Sequence, residues 1–118
     1  MKLDESNPIL IETIKILRST AKSRNRRIWD ALADELEKRG ERRVVNLSKL
    51  NRYIEEGDIA AVPGKVLGGG SIKKGVTVAA IAFSAKARSK IEAVGGRCIS
   101  LKKLVEENPS GSYVKIIG

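Results

Sequence analysis

Histidine is absent from this 118-residue chain. That one absence removes the Ser/His/Asp triad, the Cys/His pair, histidine metal ligation and histidine acid/base chemistry together. Cysteine occurs once, at Cys98, so neither a disulfide framework nor a CxxC metal pair can form, and a reducing compartment fits. The longest nearly unbroken apolar stretch, Val76 to Phe83, is far shorter than a membrane span. The opening residues alternate charge with apolar side chains where a secretory signal would carry a continuous apolar run. A soluble intracellular protein without membrane contact is expected. Aromatic residues are confined to Trp29, Tyr53, Phe83 and Tyr113. With Trp29 and Phe83 assigned to the core, little is left to stack on unpaired bases, which disfavours readers built on an aromatic platform.

What is abundant is positive charge. Lys and Arg number 23 against 14 Asp and Glu, a formal +9, which suits a polyanionic partner. The charge is also uneven along the chain. Arg18, Lys22, Arg24, Arg26 and Arg27 form an acid-free run. From Ile59 to Ile91 there is no Asp or Glu, yet Lys65, Lys73, Lys74, Lys86, Arg88 and Lys90 are all present. A single surface lysine is explained by solubility alone; so long an acid-free span is not, because ordinary surfaces mix both signs. Both runs are therefore expected to meet phosphates, by backbone and shape rather than by base stacking. Hydrophobic residues at 42% are enough for one packed interior, and the length predicts a single domain.

Asn7 followed by Pro8 reads as an N-cap with proline in the first helical turn. Leu10, Ile14, Leu17 and Ala21 then form one apolar stripe, and Trp29, Leu32, Ala33 and Leu36 form a second, with Gly40 as its stop signal. Two amphipathic helices thus occupy a segment 1–40 packed on a core of 41–118. In that core a strand-like run, a serine, a helical stretch and a glycine recur. The copies are Arg43–Ser48 with Lys49–Glu56, Val76–Ser84 with Ala85–Val94, and Cys98–Ser100 with Leu101–Asn108. Each serine, Ser48, Ser84 and Ser100, is expected to cap its helix. Strands running into capped helices predict an α/β fold, whether the recurrence is a duplication or ordinary α/β punctuation. Ala79 to Phe83 reads as the most buried strand and Tyr113 to Ile117 as another short one. Residues 63–75, holding Pro63-Gly64, the run Gly68-Gly69-Gly70 and Lys73-Lys74, read as a flexible, exposed, basic loop.

Chemical motifs are absent on inspection. Gly70 and Gly75 have Walker spacing, but the required lysine is missing from its place. Gly68-x-Gly70 lacks the third glycine of the dinucleotide fingerprint. Ser-x-x-Lys occurs at Ser71 and again at Ser100 without the companion motifs of acylating enzymes. Glu55-Glu56 and Glu106-Glu107 are adjacent residues at helix ends, which point to different sides. An enzyme using the glycine loop as a phosphate cradle would need a carboxylate that the acid-free span denies it. A non-sequence-specific DNA- or RNA-binding protein would show the same charge and stays open as the alternative.

The chain resembles the archaeal members of the L-eighteen-e family of large-subunit ribosomal proteins, relatives of L-fifteen. The resemblance spans the chain. It is carried by Ser23-Arg24-Asn25 leading to Ile28-Trp29, by Arg43 to Leu50, by Val62-Pro63-Gly64-Lys65-Val66-Leu67-Gly68, by Val76 to Ala80 with Phe83-Ser84, and by Glu107 to Ser112. It implies an irregular repeating β/β/α core preceded by helices. It also implies a cytoplasmic structural protein that binds large-subunit ribosomal RNA beside neighbouring ribosomal proteins, with no catalysis, cofactor, metal or small-molecule substrate. Carried over by position, the implied RNA contacts are Arg24, Asn25, Arg26 and Arg27, and Lys65, Gly68, Gly69, Gly70, Ser71, Lys73 and Lys74. Lys86, Lys90 and Arg97 join them on charge alone. The three glycines are then expected to let RNA backbone approach closely, so that Gly69→Val melts close to the unaltered protein when free yet binds RNA markedly worse.

Overall fold

The computed structural model describes residues 7–39 and 43–118. Helix α1 (Pro8–Arg24) begins as its sequence dictates, with the Asn7 side chain accepting a hydrogen bond from the Leu10 N–H at 3.1 Å. It ends at Asn25, whose left-handed φ of 53° turns its N–H onto the Ala21 carbonyl. Helix α2 (Arg27–Arg39) follows at once. Leu10, Ile14, Leu17 and Ala21 of α1 and Trp29, Leu32, Ala33 and Leu36 of α2 are all buried, so both apolar stripes face inward as their periodicity requires. The stop expected at Gly40 lies outside the described residues.

Beyond the helices the chain runs β1 (Val44–Asn46), α3 (Leu47–Tyr53), β2 (Ile59–Ala61), β3 (Lys65–Leu67), β4 (Thr77–Ala80), β5 (Ala82–Phe83), α4 (Ala85–Ala93), β6 (Arg97–Ser100), α5 (Leu101–Glu107) and β7 (Val114–Ile116). The fold is α/β, and every strand pairing among the described residues is parallel: one sheet has the order β1-β3-β5 and the other β6-β4-β2-β7. From β1 to β6 successive strands swap sheets. β2 belongs to the larger and β3 to the smaller, and β4 and β5 repeat that step. The expected strand Val76–Phe83 is therefore two strands. At Ile81 the chain leaves its first neighbours, and the Ile81 N–H donates to Gly64 O at 2.9 Å, at the matching step between β2 and β3. Burial follows: Val78, Ala79 and Ala80 are buried, Ala82 is exposed and Phe83 half-buried. The expectation of maximal burial through Phe83 fails at that step, although β4 does lie inside its sheet between β6 and β2.

The larger sheet is covered on both faces. Ala60, Val78 and Ala80 belong to a core with Leu47, Leu50 and Ile54 of the α3 segment and Ala87 and Ile91 of α4. Their neighbours Ala61 and Ala79 point the other way, into a core built by α1, α2 and α5. Ser84 and Ser100 cap α4 and α5, accepting from the N–H groups of Ala87 at 3.1 Å and Lys103 at 3.0 Å. Ser48 does not cap α3. That helix starts one residue earlier, Asn46 holds the cap position, and the Asn46 carboxamide is engaged elsewhere. Nor does α3 reach Glu56; it ends at Tyr53, where the Ile54 N–H closes on Leu50 O.

Trp29 is fully buried, and its indole N–H donates to Pro109 O at 2.8 Å, tying α2 to the turn after α5. Replacing it by alanine, Trp29→Ala, is expected to cost about 3–5 kcal/mol in denaturant unfolding. Trp29→Phe should cost less but still leave the Pro109 carbonyl without its donor, about 1–3 kcal/mol.

Candidate nucleic-acid interface

The fold sorts the cations into those already neutralised and those left over. Arg18 belongs to the first group, contrary to its place in the acid-free run. Its guanidinium lies 3.0 Å from Asp30, 2.8 Å from Asp34 and 2.9 Å from Glu37, carboxylates that helical spacing lines up along α2. The hydrogen bonds it donates, to Glu37 foremost, then to Asp30 and Asp34, raise its pKa further above the ordinary arginine value. Arg97 is bound by both carboxylate oxygens of Glu107, at 3.2 and 3.1 Å, with Lys103 also 3.8 Å from that carboxylate. Lys102 meets Glu12 at 2.8 Å, and Arg43 meets Glu35 at 3.1 Å. Arg88 stands 4.0 Å from Glu92 and 5.3 Å over the Phe83 ring.

Among the cations with no carboxylate partner in the described residues, two groups contain expected site residues. The first surrounds the link between α1 and α2. Left-handed Asn25 reverses the chain there, and the Arg26 N–H closes on Ala21 O at 3.0 Å. Arg24, Asn25, Arg26 and Arg27 are all exposed. Lys22, Asn25, Arg26 and Arg27 line an open hollow of about 530 Å³ floored by Ala21, with Arg18 and Asp30 also in its wall.

The second group surrounds the glycine loop, which is not the free loop its composition predicts. Gly68 is buried, and Ile72 is buried as a plug into the core beneath; Gly69, Gly70, Ser71 and Lys73 are exposed. From α3 and the strand before it, Asn46 Oδ1 accepts from Gly69 N–H at 2.9 Å, the Ser48 N–H donates to Gly69 O at 3.1 Å, and Asn51 Oδ1 accepts from Lys73 N–H at 3.0 Å. From α4, the Lys90 ammonium donates to Gly68 O at 2.9 Å and to Gly70 O at 2.7 Å. The Lys74 ammonium donates to Ile54 O at 2.7 Å, at the end of α3. The loop is thus strapped between α3 and α4.

These straps also say why glycine is needed. A side chain at Gly68 would lie 2.7 Å from Lys86 Cγ, one at Gly69 would run into the Asn46 carboxamide, and one at Gly70 would come within 2.7 Å of Ser48 Cβ. Gly70 also has φ of +79°, a conformation that costs an L-residue energy. The close neighbours of these glycines are the protein's own atoms: the Lys86 stem at Gly68, the Ser48 side chain at Gly70 and, at Gly69, the movable end of the Asn46 side chain.

The structure brings Gly68–Lys74 together with Lys86 and Lys90 of α4. Lys65 is exposed at the opposite end of β3 from the loop, and Arg97 sits apart with Glu107. The helix link belongs to the α1/α2/α5 core, whereas the loop is rooted by Ile72 in the other. Asn46 and Asn51, which hold the loop's backbone, were not among the expected site residues. Their signal is slight: amide side chains opening and lining a short helix beside a glycine run.

Residues 26–99 match the family described as ribosomal proteins 50S-L15 and 50S-L18e together with the 60S protein L-twenty-seven-A. The chain belongs to this family of ribosomal proteins, structural components rather than enzymes. It is 48% identical to the large ribosomal subunit protein eL18 of Methanospirillum hungatei, over 97% of this chain and 95% of that one. The protein of the same name from Methanococcus maripaludis is 46% identical over 98% of both chains. That of Haloarcula marismortui is 43% identical over 98% of this chain and 99% of its own.

Two outcomes follow from the loop and from the Arg97 pair. Gly70→Ala should destabilise the free protein by about 1–2 kcal/mol from its backbone conformation alone. Gly69→Ala should cost less, because only the end of the Asn46 side chain must move; thermal melts of the two variants check the order. The Arg97 guanidinium holds the Glu107 carboxyl below the usual carboxylate range. Its contribution to stability is present at neutral pH and is lost as pH falls through that lowered value. A carbon-detected NMR titration should show the Glu107 midpoint rise in Arg97→Ala.

Proposed function

We propose that this chain is a structural constituent of the large ribosomal subunit in the cytoplasm and that it binds large-subunit ribosomal RNA beside neighbouring ribosomal proteins. The observation that carries the reading is the division of cations. Arg18, Arg97 and Lys102 are neutralised within the protein. Exposed Arg24, Arg26 and Arg27 on the helix link and Lys73 and Lys86 on and beside the strapped loop are left for an outside anion. The relatives' name, large ribosomal subunit protein, supports reading that anion as the RNA of the same assembly.

The work of such a site is binding alone. Each arginine or lysine that meets a phosphate releases a condensed counterion, so affinity comes largely from salt displaced into solution. Arg24, Asn25, Arg26 and Arg27 embrace one stretch of RNA backbone, and Gly68–Lys74 with Lys86 embrace another. Lys65 extends the second contact along β3. Because the two groups root in different halves of the core, they fix the protein's orientation as well as its affinity.

Binding to large-subunit RNA fragments should weaken steeply with salt, log K falling at roughly 0.7–0.9 per contact against log salt. Arg26→Ala and Lys73→Ala should each flatten that slope by about one contact. Arg97→Ala should flatten it less, since Glu107 already offsets its charge. Salt-indifferent binding, or equal competition by duplex DNA, would replace this reading with that of a general polyanion binder.

A further inference from the structure

We propose that Lys90 is a positioning residue that preforms the glycine loop for the phosphodiester oxygens of RNA, rather than a lysine that meets phosphate itself. This rests on the reading of the loop as an RNA contact. Lys90 is half-buried, and its ammonium bridges two carbonyls of the loop, Gly68 O at 2.9 Å and Gly70 O at 2.7 Å. The carbonyl between them, Gly69 O, accepts from the Ser48 N–H. Three successive carbonyls, which would repel a phosphate, are thereby engaged by the protein's own donors.

The peptide plane then settles the other half. In a trans peptide the N–H lies opposite the preceding carbonyl. The Gly69 carbonyl turns toward α3, so the Gly70 N–H turns away from α3; the Gly70 carbonyl turns toward Lys90, so the Ser71 N–H turns away from Lys90. Neither N–H has an acceptor among the described residues, and both residues are exposed. On opposite sides of the loop, these two N–H groups and the Ser71 hydroxyl are left as donors that phosphate oxygens can meet, in a stretch without carboxylates. Lys73 and Lys86 supply the long-range attraction. Lys90 supplies order, so that the loop's conformational entropy is lost on folding and not on binding.

The test pairs Lys90→Met with Lys73→Ala, using a large-subunit RNA fragment and the full chain. Lys90→Met should lower affinity about tenfold, the scale of one charge-assisted hydrogen bond, while the salt slope stays that of the unaltered protein. Lys73→Ala should flatten the slope. In free Lys90→Met the Gly69 and Lys73 amides should exchange with solvent faster than in the unaltered protein, and Lys90→Arg should restore part of both protection and affinity. On adding the fragment to the unaltered protein, the Gly70 and Ser71 amide proton resonances should move downfield. A slope flattened by one contact in Lys90→Met with amide protection unchanged would overturn the proposal and make Lys90 a phosphate contact. Faster exchange with undiminished affinity would overturn it too. If the unaltered protein binds no fragment, the RNA reading fails with it, whereas loss of affinity confined to Lys73→Ala defeats only the role of Lys90.

Discussion

The larger sheet is buried on both faces, and that constraint organises everything else. Along β2 and β4 alternate residues serve different cores: Ala60, Val78 and Ala80 one, Ala61 and Ala79 the other. Small side chains at these positions let helices approach from both sides. On one side α1, α2 and α5 close over Ala61 and Ala79, which places the sharp Asn25 reversal and its arginines at the edge of that layer. On the other, α3 and α4 close over the opposite face and leave between them the gap that the glycine loop fills. Both basic surfaces are thus the ends of helical layers whose spacing the alanines set.

Net charge conceals how that charge is distributed. Of the first acid-free run, the fold removes Arg18 by folding the acidic face of α2 against it, and it keeps the four residues at the turn. Around the loop, Lys74 and Lys90 donate to backbone carbonyls, whereas Lys73 and Lys86 project. Like-charged side chains a few residues apart therefore have unlike tasks. Only the three-dimensional arrangement of acceptors separates them.

Features set within a few residues were legible from the sequence. The stripes of α1 and α2, the Asn7 cap and the caps at Ser84 and Ser100 all involve partners within a turn or two of helix, and periodicity or residue type reveals them. What was hidden depends on distant partners. Ser48 and Asn46 are both capping residue types, yet neither side chain caps α3: Asn46 holds the cap position while its carboxamide accepts from Gly69, 23 residues away. The straps on the loop from Asn51 and Lys90 reach across 20 or more residues, so composition alone made the loop look free. The division of Val76–Phe83 was invisible for another reason: an apolar run carries no mark of which sheet it joins, and the step at Ile81 exists only because Gly64 lies beside it. The basic surfaces were visible as charge, and the family motifs pointed to the same residues, but neither distinguished a strap from a contact.

All-parallel pairing has a kinetic consequence. Among the described residues no two consecutive strands pair with each other, and the β2–β7 ladder joins Ile59 to Val114, so both sheets assemble by closing long stretches of chain. Such topologies fold slowly, since the entropy of closure is lost before the contacts repay it. The larger sheet lacks an edge until residue 116 is available, whereas the α1–α2 hairpin, whose two helices also pack on each other, can form early. A nascent chain would then expose its arginine-rich turn in near-final form while the loop surface is still unmade. The two basic surfaces would mature at different times, the helical one first.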